Sequence, residues 1–356
     1  MDYKHYMPVL KWRQGEYQAL FRLNKTIKSV LYPLFIVPPV EYDFEDRCPK
    51  KTAEAHVEKL VKRMKDKWGI SPCLLDIDES LHLEKTSTGQ PIPEYIFDDI
   101  LKEKINCVPV LTIHHSQNYL NIIKAYITDK KSFALRVAFD DLADPDSITA
   151  IDDILSFMEC DYINVELIID FTDKVDYSEQ NDFSLLLNSI MQLLDTNRFK
   201  STYIIGTSLD LSIIKKPGAI QVRNEWTFFM SFSHAHSTQF SNLGYGDYTI
   251  ETPTFISLDM RMLKPAAKLV YSSGTQWYVF KGSAFRDNPS QMHGICLQLV
   301  SAKGVYLGES FSNGDKKIYD CAHVKCGNGN MGTWKEAAVS HHLTLAVTQL
   351  SNFYEK

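Results

Sequence analysis

The sequence of 356 residues contains no uninterrupted apolar run of about 18 residues, the length that a transmembrane helix needs. It also begins without the basic segment and apolar stretch of a secretory signal, so we expect a cytosolic protein. Proline and glycine number only 14 and 16, which argues against long disordered linkers. The net charge of −6 provides no general attraction for nucleic acids or anionic membranes. We therefore expect neither nucleic acid nor a membrane as partner.

Cysteine is too sparse and too scattered for a disulfide framework. The seven cysteines are an odd number, and several lie inside apolar runs, where cysteine behaves as a small buried side chain. Cys321 and Cys326 lie close together, but no second cysteine pair or suitably spaced histidine pair accompanies them, as a zinc site requires. We interpret the cysteines as structural residues of a protein from a reducing compartment.

What the sequence does contain is a regular alternation of short apolar runs with longer segments of helical period. Seven strand-type runs precede residue 210, and the stretch 237–249 is the candidate for an eighth strand. Parallel strands joined by helices in this number close most readily into a barrel, so we predict an α/β fold, a TIM-like (β/α)8 barrel. The alternative is an open doubly wound sheet. It is less favoured because the early glycine signature of a dinucleotide fold is missing.

The chain after residue 250 has a different pattern. The stretch 268–282 carries strand-type residues on both sides of Ser-Ser-Gly-Thr and predicts a hairpin. A last helix is predicted to begin with Thr333 as its N-cap and Glu336 as the capping-box partner. We expect a barrel core over 1–250. We expect 251–356 to form a hairpin insertion, the last barrel helix and a C-terminal extension packed on the barrel.

Charged residues occupy inward-facing positions of the predicted strands. In a closed barrel the outward residues are apolar because helices cover them, so the alternate residues point inward. This rule places Arg136 and Asp140 inward on one strand, and Glu166 and Asp170 inward on the next. A buried arginine requires an acidic neighbour, and we predict Glu166 as the partner of Arg136. The pair either organises a site or only fills the interior of the barrel.

The C-terminal mouth of such a barrel is where its chemistry takes place. Acidic, histidine and lysine side chains converge on the predicted mouth, and this combination binds a divalent metal ion or supplies a general acid and a general base. We predict catalytic roles for Asp76, His114, Glu166 and Asp170. We predict substrate binding by Lys11, Arg136, Asp140, Ser208 and Asp247.

Simpler roles are open for several of these residues. Alternation favours an inward position for His114 over His115, but an isolated histidine is more often a packing residue than a ligand. Asp78 and Asp140 are equally suited to cap the turns and helices that follow their strands. No spacing among these residues is diagnostic of one metal or one reaction.

Three segments together resemble one known family. They are YMPVLKWRQGEYQAL near the N-terminus, LRV with its following aspartate, and GNGNMGTWKEAAVSHHLTLAVTQL near the C-terminus. The chain resembles the phage and bacterial proteins called beta protein, or beta family protein, over nearly its full length. The resemblance implies a cytosolic protein whose relatives occur among phage-related and defence-associated genes. It implies no particular reaction, and no catalytic residue is carried over from it.

Two hypotheses on function use the same residues. The first is a barrel hydrolase, with or without a divalent metal ion, that acts on a phosphate-containing or sugar-like small molecule. The second is a non-catalytic sensor or adaptor in phage defence, whose mouth binds a small-molecule ligand or a phage or bacterial protein. The acidic mouth favours the enzyme. The lack of a known catalytic motif and the irregular C-terminal region favour the binding module.

Overall fold

The structure is a computed structural model of the chain, and it describes residues 4–128, 132–144, 146–255, 259 and 263–355. Its strands are, in chain order, β1 Met7–Leu10, β2 Leu34–Val37, β3 Tyr42–Asp43, β4 Cys48–Pro49, β5 Cys73–Ile77, β6 Cys107–Leu111, β7 Phe133–Ala138, β8 Val165–Asp170, β9 Ser201–Gly206, β10 Gly218–Val222, β11 Leu243–Asp247, β12 Ala266–Ser273 and β13 Gln276–Ala284.

The α-helices connect these strands and cover their outer faces. They are α1 Gln14–Arg22, α2 Lys25–Ser29, α3 Ala53–Val57, α4 Leu60–Lys67, α5 Ile92–Glu103, α6 Gln117–Tyr126, α7 Phe139–Leu142, α8 Asp146–Met158, α9 Gln180–Leu193, α10 Asn224–Ala235, α11 Gln291–Val300, α12 Asn313–Ala322 and α13 Met331–Tyr354. Among the described residues, none of these helices is long and apolar enough to cross a membrane.

Eight parallel strands close into a barrel in the order β1, β11, β9, β8, β7, β6, β5, β2. The closure is made by β1, where Val9 pairs with Leu34 on one side and Met7 pairs with Gly246 on the other. The predicted (β/α)8 barrel is therefore confirmed, and the open doubly wound sheet is not formed. The eighth strand, β11, lies within the stretch 237–249 that the sequence indicates.

The strand alternation separates two apolar clusters. On β8 the outward residues Val165, Leu167 and Ile169 pack under the helices in the main core, whereas Ile168 faces the interior of the barrel. Strands that are buried on both faces in this way are typical of parallel sheets, whose sequences are apolar at nearly every position. The interior cluster is formed by Met7, Val9, Tyr32, Leu34, Ile36, Leu74, Val110, Ala134, Ile168, Tyr203, Ile205 and Tyr248.

A second, antiparallel sheet lies outside the barrel. Strands β12 and β13 form the predicted hairpin, and β10, which the sequence pattern did not indicate, pairs with the far side of β13. The last helix, α13, packs on α1, α12 and β12. Its predicted N-cap is wrong by three residues. Asn330 is the N-cap and accepts the backbone N–H of Thr333 at 2.9 Å, so Thr333 is the other member of the capping box.

Candidate functional site at the C-terminal mouth

A polar network from four strands lies at the C-terminal mouth, centred on Arg136 of β7. The Arg136 Nη1 donates to Asp76 Oδ2 of β5 at 2.7 Å. Its Nε and Nη2 both donate to Asp170 Oδ2 of β8, at 2.8 and 2.6 Å. Two carboxylates therefore hold one guanidinium by charge-assisted hydrogen bonds, the arrangement in which a buried charge is tolerated.

Tyr248, directly after β11, completes this mouth network. Its hydroxyl accepts a bond from Arg136 Nη2 at 2.7 Å and donates to Asp170 Oδ2 at 2.6 Å. The other oxygen of Asp170 accepts the backbone N–H of Thr172 at 2.8 Å. Only 3% of the Asp170 side chain is exposed, against 11% for Asp76 and 16% for Arg136. Asp76 and Arg136 are therefore the members that a bound molecule reaches first.

Burial controls the acidity of Asp76. It raises the pKa of the Asp76 carboxyl above its ordinary value, and the opposing effect of Arg136 offsets this only in part. A partly accessible carboxyl with a raised pKa is suited to giving or accepting a proton nearer to neutral pH. Asp76 is therefore the residue of the mouth network best placed for acid–base chemistry.

The predicted pairing of Arg136 with Glu166 is wrong. Glu166 does face the barrel interior, but it is fully buried and its Oε1 accepts from Lys200 Nζ at 2.7 Å. In the strand register Glu166 lies opposite Ala134, two residues below Arg136, and Arg136 reaches toward the mouth. Alternation gives the direction of a side chain but not its depth, so Glu166 lies in the half of the barrel away from the mouth.

The structure does not place Asp140 on a strand. Strand β7 ends at Ala138, and Asp140 lies in the first turn of α7 with 72% of its side chain exposed. Its carboxylate is 4.0 Å from Lys174 Nζ. The inward position predicted for Asp140 is therefore wrong, because the strand ends before the alternation reaches it.

The structure does not place His114 in the barrel interior, the position that alternation assigns to it. Strand β6 ends at Leu111, and the following turn leaves the His114 side chain 61% exposed, with its Nε2 3.0 Å from Asp141 Oδ2. His115 packs instead against the rings of His82 and Tyr119. Burial lowers the pKa of His115 to about 3, so this ring is neutral at physiological pH. The predicted inward position of His114 is wrong.

Asp247 lies at the C-terminal end of β11 but points away from the barrel interior. Its outward neighbours on the strand are Leu243 and Tyr245, which belong to the main core. Asp247 Oδ2 accepts from Tyr245 at 2.9 Å and is bonded to His342 Nε2 of α13 at 2.9 Å. The glycines of β11 carry no side chain that would reveal the alternation. The two glycines therefore give no indication that Asp247 faces away from the barrel interior.

Tyr248, the next residue, faces the barrel interior at the mouth. Sequence reasoning missed Tyr248, although one signal was available. Tyr245 is the large apolar residue of β11 and faces the helices, so alternation from Tyr245 sends Asp247 outward and Tyr248 inward.

Ser208 follows β9 and lies at the mouth side, but its hydroxyl is used within the protein. It donates to Glu225 and accepts the backbone N–H of Asn224 at 3.0 Å, at the start of α10. Ser208 also lines a cavity of about 650 Å³ together with Thr207 and several aspartates. A ligand that bound the Ser208 hydroxyl would have to displace its hydrogen bonds to Glu225 and Asn224 at the start of α10.

Lys11 directly follows β1 and is 3% exposed. Its ammonium donates to the carbonyl oxygen of Thr254 and lies 4.6 Å from the centre of the Phe255 ring. Burial lowers the pKa of Lys11 to about 8, although Glu251 and Glu16 act to raise it. Lys11 therefore fixes the segment after β11 against the mouth.

The donor set of the mouth does not fit a divalent metal ion. The described residues contain no cluster of three or more histidine, cysteine, aspartate or glutamate side chains arranged for a metal. Within the mouth network the two carboxylates are Asp76 and Asp170, and both bind the guanidinium of Arg136. We therefore derive no step through a metal.

Several solved structures are similar to this chain at 12% identity. The alanine racemase of Clostridium difficile 630 in complex with cycloserine has a TM-score of 0.34, with 76% of this chain and 58% of that chain covered. A mandelate racemase/muconate lactonizing protein from Herpetosiphon aurantiacus has a TM-score of 0.34, covering 78% and 63%. The alanine racemase of Clostridium difficile 630 described without cycloserine has a TM-score of 0.33, covering 76% and 60%. The chain spans about three fifths of the length of these structures.

No curated protein matches the chain in sequence. The sequence pattern of the family described as "Beta protein" matches residues 6–348, which is nearly the whole chain. This match agrees with the resemblance of the first strand and the last helix. The chain belongs to the Beta protein family.

Proposed function

We propose that the protein binds a small molecule at the C-terminal mouth of its barrel, with the mouth network of Asp76, Arg136, Asp170 and Tyr248 as the floor of the site. The observation that carries the proposal is the burial of two carboxylates, Asp76 and Asp170, around the Arg136 guanidinium, which keeps 16% of its side chain exposed at this end of the barrel. In α/β barrels this end holds the ligand, and the loops after the strands complete the site.

The energetics of burial support a role in binding. A buried ion-pair network is often no more stabilising than apolar residues of the same volume, because desolvation opposes the attraction between the charges. The neighbouring interior is filled by apolar residues such as Leu74, Ala134 and Ile168. A guanidinium with 16% of its side chain exposed supplies a fixed donor for an anionic or polar ligand group.

A hydrolase is the second candidate, and Asp76 is the residue that favours it. Its raised pKa and partial access to the mouth suit a general acid or base that acts on a phosphate-containing or sugar-like substrate. His114 and Glu166, which we expected to share this work, lie away from Asp76 in the structure. Catalysis would therefore depend on Asp76 together with groups of the substrate or water.

The test is a screen of phosphate esters, nucleotides and sugars by thermal stabilisation, with hydrolysis of each compound followed in parallel. Asp76→Asn and Tyr248→Phe change the mouth network, and Glu166→Gln is the matched control, because Glu166 is another interior carboxylate paired with a cation. We expect a compound that stabilises the wild type and Glu166→Gln. Its affinity for Asp76→Asn should be at least about tenfold lower.

Two outcomes would decide against parts of this proposal. Stabilisation that is lost equally in Glu166→Gln and Asp76→Asn would place the ligand elsewhere than at the mouth. Binding without turnover of any compound would support the binding function and remove the hydrolase.

A further inference from the structure

A cavity of about 560 Å³ lies beside the mouth, where the chain leaves the ends of β1 and β2. We call it the rim cavity. It is formed by the start of α1, the segment after β2 and the helix pair α3 and α4. Among the residues that line it are Trp12, Arg13, Tyr17, Lys50, Lys59 and Arg63.

The rim cavity is basic in a chain whose net charge is −6. Five lysine and arginine side chains line it against two glutamates, and one of those glutamates, Glu41, is already paired with Lys50 at 3.0 Å. Arg13, Lys59 and Arg63 make no ion pair among the described residues. A local excess of positive charge without acidic partners is the electrostatic pattern that attracts an anionic ligand.

Aromatic groups complete the wall of the rim cavity. The guanidinium of Arg63 lies over the Tyr17 ring at 5.1 Å, which holds this cation in place at the cavity. Trp12 lies behind Tyr17 with a ring separation of 5.7 Å, and its buried Nε1–H has no hydrogen-bond acceptor among the described residues. A buried donor without an acceptor is unfavourable unless a ligand or water supplies one.

The backbone conformation of Trp12 is a further feature that points to ligand binding at the rim cavity. Its φ of 47° lies in the left-handed region, which bulky residues rarely adopt. Strained backbone of this kind concentrates at functional sites, where the surrounding structure holds it. Trp12 directly follows Lys11, the residue that fixes the segment after β11, so the rim cavity and the mouth share one piece of chain.

We propose that the rim cavity binds the phosphate groups of a phosphorylated small molecule of up to nucleotide size. Arginine and lysine suit phosphate because they combine charge with several donors, and the volume of about 560 Å³ lies within the range of small-molecule sites. This inference rests on the proposed function in one respect, since the remainder of the ligand extends toward the mouth network. The phosphate contacts themselves need only the rim cavity.

The experiment measures binding of two probes, inorganic pyrophosphate and ATP, to the full chain by titration calorimetry, with adenosine as the uncharged control and a single-stranded oligonucleotide as the competing class of ligand. Lys59→Glu removes a cation of the cavity. Lys62→Glu is the matched control, because Lys62 is an exposed lysine of α4 that does not line the cavity. Both substitutions are at exposed positions, so both variants are expected to fold.

We expect pyrophosphate and ATP to bind the wild type, with affinities that fall as salt rises. Lys59→Glu should weaken both probes by about tenfold or more, and Lys62→Glu by less than about twofold. Asp76→Asn separates the two proposals. Pyrophosphate binding that persists in Asp76→Asn supports the rim cavity even if the mouth fails as a binding site.

Three results would overturn the inference. They are the absence of pyrophosphate and ATP binding at millimolar concentration, equal weakening in Lys59→Glu and Lys62→Glu, and binding restricted to oligonucleotides. The last result would assign the basic surface to nucleic acid rather than to a small molecule.

Discussion

Arg136 is the residue on which the mouth depends, because it neutralises two buried carboxylates at once. Replacing it by methionine leaves Asp76 and Asp170 without their cation in a desolvated position. We expect Arg136→Met to lower the free energy of unfolding by about 3–5 kcal/mol. Urea denaturation measures this loss.

The control for Arg136→Met is a cation on the surface. Lys65 pairs with Glu103 at 2.6 Å, and both side chains are more than 40% exposed. Lys65→Met should change the free energy of unfolding by less than about 1 kcal/mol. A similar loss in both variants would show that the mouth network contributes no more than a surface ion pair.

Two histidines with lowered pKa values predict how stability depends on pH. Burial lowers the pKa of His115 to about 3 and also lowers the pKa of His342, both from an ordinary value of 6.5. Below pH 6.5 the unfolded chain takes up protons that the native protein does not. Stability is therefore fully present above pH 6.5 and falls as the pH decreases toward the native pKa values, by up to about 1.4 kcal/mol per pH unit for each histidine.

Asp247 contributes to the same acid sensitivity at lower pH. Burial acts to raise its pKa, but the bonds from His342 and Tyr6 outweigh burial and lower it. This contribution is present above the unfolded pKa of about 3.9 and is lost as the pH falls through the lower native value. Thermal unfolding from pH 8 to pH 2 tests the pH dependence, with the histidine contributions above pH 4 and the Asp247 contribution below it. His342→Gln should flatten the decline, whereas His234→Gln, at an exposed position, should leave it unchanged.

At the residue scale, the sequence allowed the direction of a side chain to be predicted better than its depth or its partners. Alternation correctly sends Arg136 and Asp170 inward. It fails for Asp140 and His114, because it stops at a strand end that only the folded chain defines. Alternation also does not show that Glu166 lies one layer of side chains farther from the mouth than Arg136. These errors share one cause, since partners are set by strand register.

At the scale of elements, closure of the barrel depends on the approach of β11 to β1. A Cβ atom on Gly246 would lie 2.5 Å from the carbonyl oxygen of Met7 and 2.6 Å from Ile205 Cγ2. Gly246→Ala forces these strands apart or shifts the barrel interior, so we expect a loss of about 1–3 kcal/mol in the free energy of unfolding.

The matched substitution is Gly294→Ala in α11. Gly294 is exposed within the helix, and a Cβ there meets no atom within 4 Å. Alanine should raise the free energy of unfolding by up to about 1 kcal/mol, because it favours the helix. Urea denaturation of both variants should therefore show changes of opposite sign. A neutral effect of Gly246→Ala would contradict the close approach of β11 and β1.

Elements with a clear period were predictable, and the others were not. The hairpin of β12 and β13 follows the sequence pattern closely. Strand β10 was not predictable from the sequence because it is a short edge strand whose residues are largely exposed, so no apolar pattern marks it. The start of α13 was predicted at the wrong residue because asparagine and threonine are both suitable N-caps, and only the backbone conformation decides between them.

At the scale of the whole molecule, the barrel and the C-terminal region share buried polar contacts. His342 of α13 is bonded to Asp247 of the barrel, and its other ring nitrogen accepts from Ser272 of β12 at 2.9 Å. Arg223 is fully buried and donates to Gln349 of α13 at 2.8 Å. A division at residue 250 stays a prediction about sequence organisation. These contacts favour joint folding of the two parts.

We therefore expect one cooperative unfolding transition. Circular dichroism and tryptophan fluorescence should give the same midpoint in urea, because the region with Trp277 and Trp334 and the barrel with Trp12 and Trp68 unfold together. A chain ending at residue 250 should fail to fold, since it lacks the partners of Asp247 and α1. Two separate midpoints would show that the parts are independent.

The central claim is that the C-terminal mouth and its rim hold the ligand, and hydrogen–deuterium exchange tests it most directly. The wild-type protein is compared with and without the compound that stabilises it most in the screen. With the compound bound, we expect slower exchange in the segments that follow the barrel strands at the mouth, namely 11–17, 76–82 and 248–255. Protection confined to the opposite end of the barrel, around Glu166 and Lys200, would contradict it.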